Sequence, residues 1–184
     1  MERLVVEMKK WVLVVFTTGL LYQLFHWIEH VAQMYQHWLL GINIAGSHGI
    51  LFFLDFEWNH FVFNTIYFIA LILVFFGGKF YKYRNDSRKS FFLFVVLALA
   101  LVVQGYHQIE HIMKIYQHYA NNCEPCPGIL GKVTDGIYLH FAFNSIVLAL
   151  PAFAYIHGGF YKKLLVMLKG ENTRTNIPES AKPI

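Results

Sequence analysis

His26 and His30 stand four residues apart, as do His107 and His111, and a glutamate precedes the second member of each pair, in HWIEH at 26–30 and HQIEH at 107–111. Two histidines at i, i+4 share one helix face and can grip a single metal ion from it, as in the zinc motif H-E-x-x-H. Here the order is H-x-x-E-H, so Glu29 and Glu110 adjoin the second histidine instead of the first. Further along, His60 and His140 open the matching runs HFVFN (60–64) and HFAFN (140–144). Each set therefore offers two imidazoles and a carboxylate from one helix and a third imidazole from the next. The expected metal ligands are His26, Glu29, His30 and His60 in one half of the chain. In the other half they are His107, Glu110, His111 and His140. Gln23, Asn64, Gln104 and Asn144 are expected to hydrogen-bond around them.

Two such sets suggest a dinuclear site, or two equivalent mononuclear sites, for transition-metal ions; iron, copper and zinc all suit imidazole. Glu29 and Glu110 are then bridging ligands or proton acceptors, the catalytic candidates of a metal-dependent oxidoreductase. Carboxylate-bridged di-metal helical bundles are the nearest physical analogy, although their Glu-x-x-His spacing differs. Two other readings compete. A b-type haem held by one histidine from each of two helices would make the chain an electron-transfer subunit of a larger membrane complex. It leaves both glutamates unused, and histidines at i, i+4 on one helix seldom face the same haem. A metal permease or sensor would need its polar stripe to continue through the whole bilayer, yet Trp11–Leu21 and Tyr67–Phe76 carry few polar groups. A purely structural network of His, Glu, Gln and Asn is the plainest reading, and eight paired histidines are dense for it.

The elements that position these residues are apolar. Of 184 residues, 57% are hydrophobic and only 14% charged, against about a quarter charged in ordinary soluble domains. Four runs are almost free of charge: Trp11–Phe25, Phe61–Phe76, Phe91–Val103 and Phe141–Ile156. With their flanks each reaches the ~20 residues that a bilayer-spanning helix needs. The expected fold is an all-α integral membrane bundle of four transmembrane helices. The first span reads as part of the mature chain, since no small-residue cleavage site follows it. Thirteen of the 15 basic residues cluster beside Arg3–Lys10, Lys79–Lys89 and Lys162–Lys182, leaving Lys114 and Lys132. By the positive-inside rule both termini and the middle loop are cytoplasmic, as in a multi-pass protein of a prokaryotic plasma membrane. The membrane lipid, a small or lipophilic substrate and further membrane subunits are the expected partners, and nothing suggests nucleic acid.

The chain also resembles itself. YQLFHWIEHVAQMYQH at 22–37 and VQGYHQIEHIMKIYQH at 103–118 superpose on a shift of 81, and GIL at 49–51 matches 128–130. A parallel duplication of a two-helix unit follows, with a pseudo-twofold axis along the membrane normal. Residues 1–10 form a cytoplasmic segment, 11–78 the first repeat and 79–89 a basic cytoplasmic loop. The second repeat is 90–161, and 162–184 is a cytoplasmic tail, disordered from Gly170 onward. Depths agree between helices: His26 lies 16 residues from Lys10, Asn64 15 from Lys79, His107 18 from Lys89 and Asn144 18 from Lys162. Gln23, His26, His30, Gln33 and His37 fall within an arc of roughly 80° on a helix, with Glu29 on its flank about 100° from His30.

Lys114 breaks the symmetry, standing where the first half has Gln33; it is expected to pair with Glu110 or to snorkel to the outer interface. His37 and His118 lie two turns beyond the second histidines and could form a vestibule, while His48 and His157 have no matched partner. Cys123 and Cys126, a C-x-x-C in an outer loop of the second half only, favour a disulfide over capture of a soft metal. The run QIEH at Gln108–His111 resembles a fragment of the histidine boxes of membrane fatty-acid desaturases. That likeness covers four residues and implies only that His-rich membrane bundles can hold paired metals for oxygen chemistry.

Overall fold

The computed structural model describes residues 8–51, 56–82 and 84–175, and of 170–175 the backbone alone. Arg3, Lys182 and the tail beyond Thr175 lie outside these residues. Runs of Leu, Ala, Phe and Val with few interior prolines become helices. Helix α1 spans Lys10–Met34 and continues through a π-helical turn at Tyr35–Leu39. It is followed by α2 (Glu57–Gly77), α3 (Arg88–Asn121) and α4 (Gly136–His157). These four helices are long and apolar enough to cross a membrane, and no strand occurs among the described residues. The segment after Gly170 departs from expectation: α5 runs from Phe160 to Thr175, because extending a helix already nucleated costs little per residue.

Side chains set the starts of α3 and α4. The Ser87 hydroxyl accepts the Ser90 N–H at 3.1 Å and starts α3, and the Asp135 carboxylate accepts the Ile137 and Tyr138 N–H groups and starts α4. Such caps satisfy donors that have no partner within the helix.

Helices α1 and α3 occupy opposite corners of the bundle, each packed against both α2 and α4. In the half of the bundle that holds the histidines, the burial pattern is inverted relative to a water-soluble protein. Gln23, Gln104 and His107 are 0% exposed, whereas Leu21 is 61% and Val102 69% exposed. Apolar surface outside with polar groups inside suits a surrounding of lipid. Along the bundle the interior changes character. The end where α2 and α4 finish at Gly78 and Gly158 is filled by Phe16, Val74, Phe75, Phe80, Leu97 and Phe160. At mid-height Tyr67, Leu71 and Val147 close the centre. Pro151 has no N–H to give the Val147 carbonyl one turn back, and the Tyr67 hydroxyl donates to that carbonyl instead, at 2.8 Å. Above this plug lie the buried histidines.

Candidate metal centre

Six imidazoles gather in the loop-side half, in two groups. His26 and His30 on α1 meet His60 on α2, and His107 and His111 on α3 meet His140 on α4; within each triad the ligand nitrogens lie within 4.8 Å of one another. All six are buried. The i, i+4 spacing does what one helix face allows: the His26 and His30 Nε2 atoms are 3.2 Å apart, and those of His107 and His111 3.1 Å. Two nitrogens each ~2.0–2.1 Å from one ion are separated by about 2.9 Å at a right angle and about 3.3 Å at the tetrahedral angle. Both pairs therefore stand at the edge length of a coordination shell. The triads also touch each other, with ring centroids 5.8 Å apart for His60 and His111 and 5.8 Å for His30 and His140. Each triad is a set that could hold a metal ion.

Ring orientation follows from what the outer nitrogens touch. His30 Nδ1 donates to Gln33 Oε1 at 2.7 Å, His111 Nδ1 to Glu57 Oε1 at 2.6 Å and His140 Nδ1 to the Gly136 carbonyl at 2.6 Å. A proton held on Nδ1 leaves the Nε2 lone pair facing the cluster, the tautomer that metal-bound histidines adopt.

The four expected hydrogen-bonding partners pair between the two halves of the chain. Gln23 Nε2 donates to Asn144 Oδ1 at 2.7 Å, and Gln104 Nε2 to Asn64 Oδ1 at 3.1 Å. Each asparagine also donates to the carbonyl of the triad histidine one turn earlier, at 2.9 Å from Asn64 to His60 and 2.9 Å from Asn144 to His140.

Glu29 and Glu110 do not join the triads. Glu29 Oε2 accepts the Ile50 and Leu51 N–H groups at 2.7 and 3.1 Å. Glu110 accepts those of Ile129 and Leu130 at 2.7 and 2.9 Å, with the Tyr106 hydroxyl at 3.1 Å. Beside each carboxylate a glutamine clamps a glycine. Gln36 exchanges bonds of 2.8 and 2.9 Å with the Gly49 backbone, and Gln117 bonds of 2.8 and 2.8 Å with that of Gly128. Glu29 and Glu110 are latches that hold the loops following α1 and α3 onto those helices. The physical reason is angular: on the flank of the histidine stripe, a carboxylate reaches the loop's unpaired N–H groups more readily than the interior.

The carboxylate that does reach the cluster is Glu57, which no expectation included. It lies at the first turn of α2, bonded to His111 and 3.5 Å from the Lys114 ammonium. Lys114 thus pairs with Glu57 and not with Glu110, and its Nζ also lies 3.3 Å from His140 Nε2. The available signal was the spacing Glu57-x-x-His60, that of carboxylate di-metal bundles.

A chamber of about 650 Å³ opens over the cluster. His30, His60, His140, Glu57 and Lys114 line it, together with His48, His118 and the segment from Cys123 to Pro127. Cys123 and Cys126 are joined by a disulfide. His118 donates to the Cys123 carbonyl at 3.0 Å, whereas His37 turns to the Ile42 carbonyl at 2.8 Å and to Asp135 at 3.2 Å. Of the two vestibule candidates, then, His118 lines the chamber and His37 ties the loop of one half to α4 of the other. His48 lines the chamber too, although nothing in its spacing marked it.

No protein-family model, curated protein or solved structure matches this chain.

Proposed function

We propose that the chain is an integral membrane metalloprotein whose six histidines hold two transition-metal ions at the base of a chamber on the outer side. It is built from a duplicated two-helix unit. The observation that carries this reading is the convergence of the imidazole nitrogens within each triad, with the outer nitrogens of His30, His111 and His140 each engaged as donors. The same two buried atoms recur without a hydrogen-bond partner in each half, Gln23 Oε1 and His26 Nδ1 on α1 and Gln104 Oε1 and His107 Nδ1 on α3, which accords with one arrangement built twice.

An ion centre opening into a chamber suits a metal-dependent oxidoreductase for a small or lipophilic substrate entering from the outer leaflet. Bound metals would supply redox or Lewis-acid chemistry. The chain's own residues orient the imidazoles, exclude water on the plugged side and present Glu57 and Lys114 to whatever enters. The haem reading is less favoured, since neighbouring imidazole centroids stand only 4.6–6.2 Å apart and a macrocycle would have to part them. The permease reading meets the apolar fill around Phe16, Val74 and Phe160, which offers an ion no ligands. The duplication is supported by latch, clamp, amide pair and triad recurring in both halves.

The purified protein is expected to contain one or two transition-metal ions per chain by elemental analysis and to show no Soret band. A strong Soret band with α/β peaks that sharpen on reduction would hand the site to haem. For orientation, single cysteines at Gly46 and Asn121 should label from outside and those at Asp86 and Thr173 only after the membrane is breached. Labelling of Asp86→Cys from outside would reverse the assignment.

A further inference from the structure

Beside the two triads stand two charged residues with no charged counterpart in the other half, and both fall at the same place. Where the first half has Gln33 the second has Lys114, and where α2 has Glu57 the matching position of α4 is Ile137. Across the bundle these departures meet: Lys114 Nζ lies 3.5 Å from Glu57 Oε2 and 3.3 Å from His140 Nε2. His140 Nδ1 already donates to the Gly136 carbonyl, so its Nε2 carries a lone pair, and the ammonium donates to it. A metal bound to His140 would use that same lone pair at ~2.0–2.1 Å. Ammonium and metal ion therefore compete for one direction, and as two cations in a dry site they repel. In the first half, Gln33 is neutral and receives the outer nitrogen of His30.

From this contrast, and resting on the metal reading above, we infer that the triads load in order. His26, His30 and His60 take the first ion. The triad of His107, His111 and His140 takes its ion only as the Lys114 ammonium leaves His140 for Glu57. Glu57 has two parts in this. Its Oε2 faces the departing ammonium, and its Oε1 holds His111 Nδ1–H, the carboxylate–histidine arrangement that strengthens a ligand. Lys114 and Glu57 are positioning residues for the second ion.

The test is a titration of the full-length, chelator-stripped protein in detergent with Co(II), followed by visible ligand-field absorption and by equilibrium dialysis. Wild type should bind two ions in two steps, with dissociation constants at least about tenfold apart. Lys114→Gln should tighten the second step by about tenfold or more and leave the first in place; Lys114→Met serves if the glutamine variant does not accumulate. Glu57→Gln should weaken the second step by about tenfold. His30→Ala should abolish the tight step and keep the weak one. Two equal steps in wild type, or a second step that the Lys114 variants do not tighten, would overturn the order while leaving the metal centre standing. Absence of Co(II) binding in wild type and in every variant would remove both.

Discussion

Dialysed against excess zinc, His30→Ala is expected to keep about one ion per chain, His111→Ala about one, and the double variant none. Each triad takes its three imidazoles from two consecutive helices of one half, so losing one ring damages one shell and leaves the other. Four-ligand structural zinc sites are worth roughly 10–16 kcal/mol. One ligand of such a set carries about 3 kcal/mol, or ~100-fold in affinity. Were the ions instead bridged across the stacked pair of His60 and His111, either single substitution would disturb both, and the double variant would be little worse than either. Elemental analysis with a folding check by circular dichroism separates these outcomes. Full zinc content in both single variants would reduce the histidines to a hydrogen-bonded network.

Gly128→Ala should be strongly destabilising although it lies outside the cluster. Gly128 has φ +71°, and an added Cβ would press on Glu110 Oε2. Left-handed backbone costs an ordinary residue ~1–2 kcal/mol, and losing hydrogen bonds to a buried carboxylate costs roughly 1.5–3 kcal/mol more. A loss of about 3–5 kcal/mol in unfolding free energy follows, read as a lower thermal midpoint in detergent. Gly49→Ala should act likewise, since its φ is +77° and its Cβ would sit 2.6 Å from Glu29 Oε2. Glu110→Ala should cost a similar amount yet leave the zinc content unchanged, which separates a latch from a ligand. Because glycine and glutamate serve one latch, the double variant Glu110→Ala/Gly128→Ala should be less destabilised than the sum of the two singles. Loss of zinc in Glu110→Ala with the loop still protected from protease would restore the carboxylate to the metal site.

Those parts of this protein that depend on one helix at a time can be read from local spacing. Uncharged runs of the right length marked the four long helices, and the i, i+4 spacing placed His26 with His30 and His107 with His111 on single faces. Matched runs around His60 and His140 then announced one further imidazole for each pair. All of this is local, since a helix repeats every ~3.6 residues whatever surrounds it. Contacts with a partner far along the chain follow from how the helices and loops pack. Glu29 and Glu110 lay close enough to the stripe to pass for ligands, until loops 19 to 22 residues away brought N–H groups to their carboxylates. Glu57 stood unremarked because His111, its partner, is 54 positions distant. Lys114 was a visible break in symmetry, but that it bears on His140 required α3 and α4 to pack side by side. A flank residue can turn toward the interior or toward a loop at little cost to its own helix. That choice rests with whichever unpaired donor or acceptor the fold brings within reach.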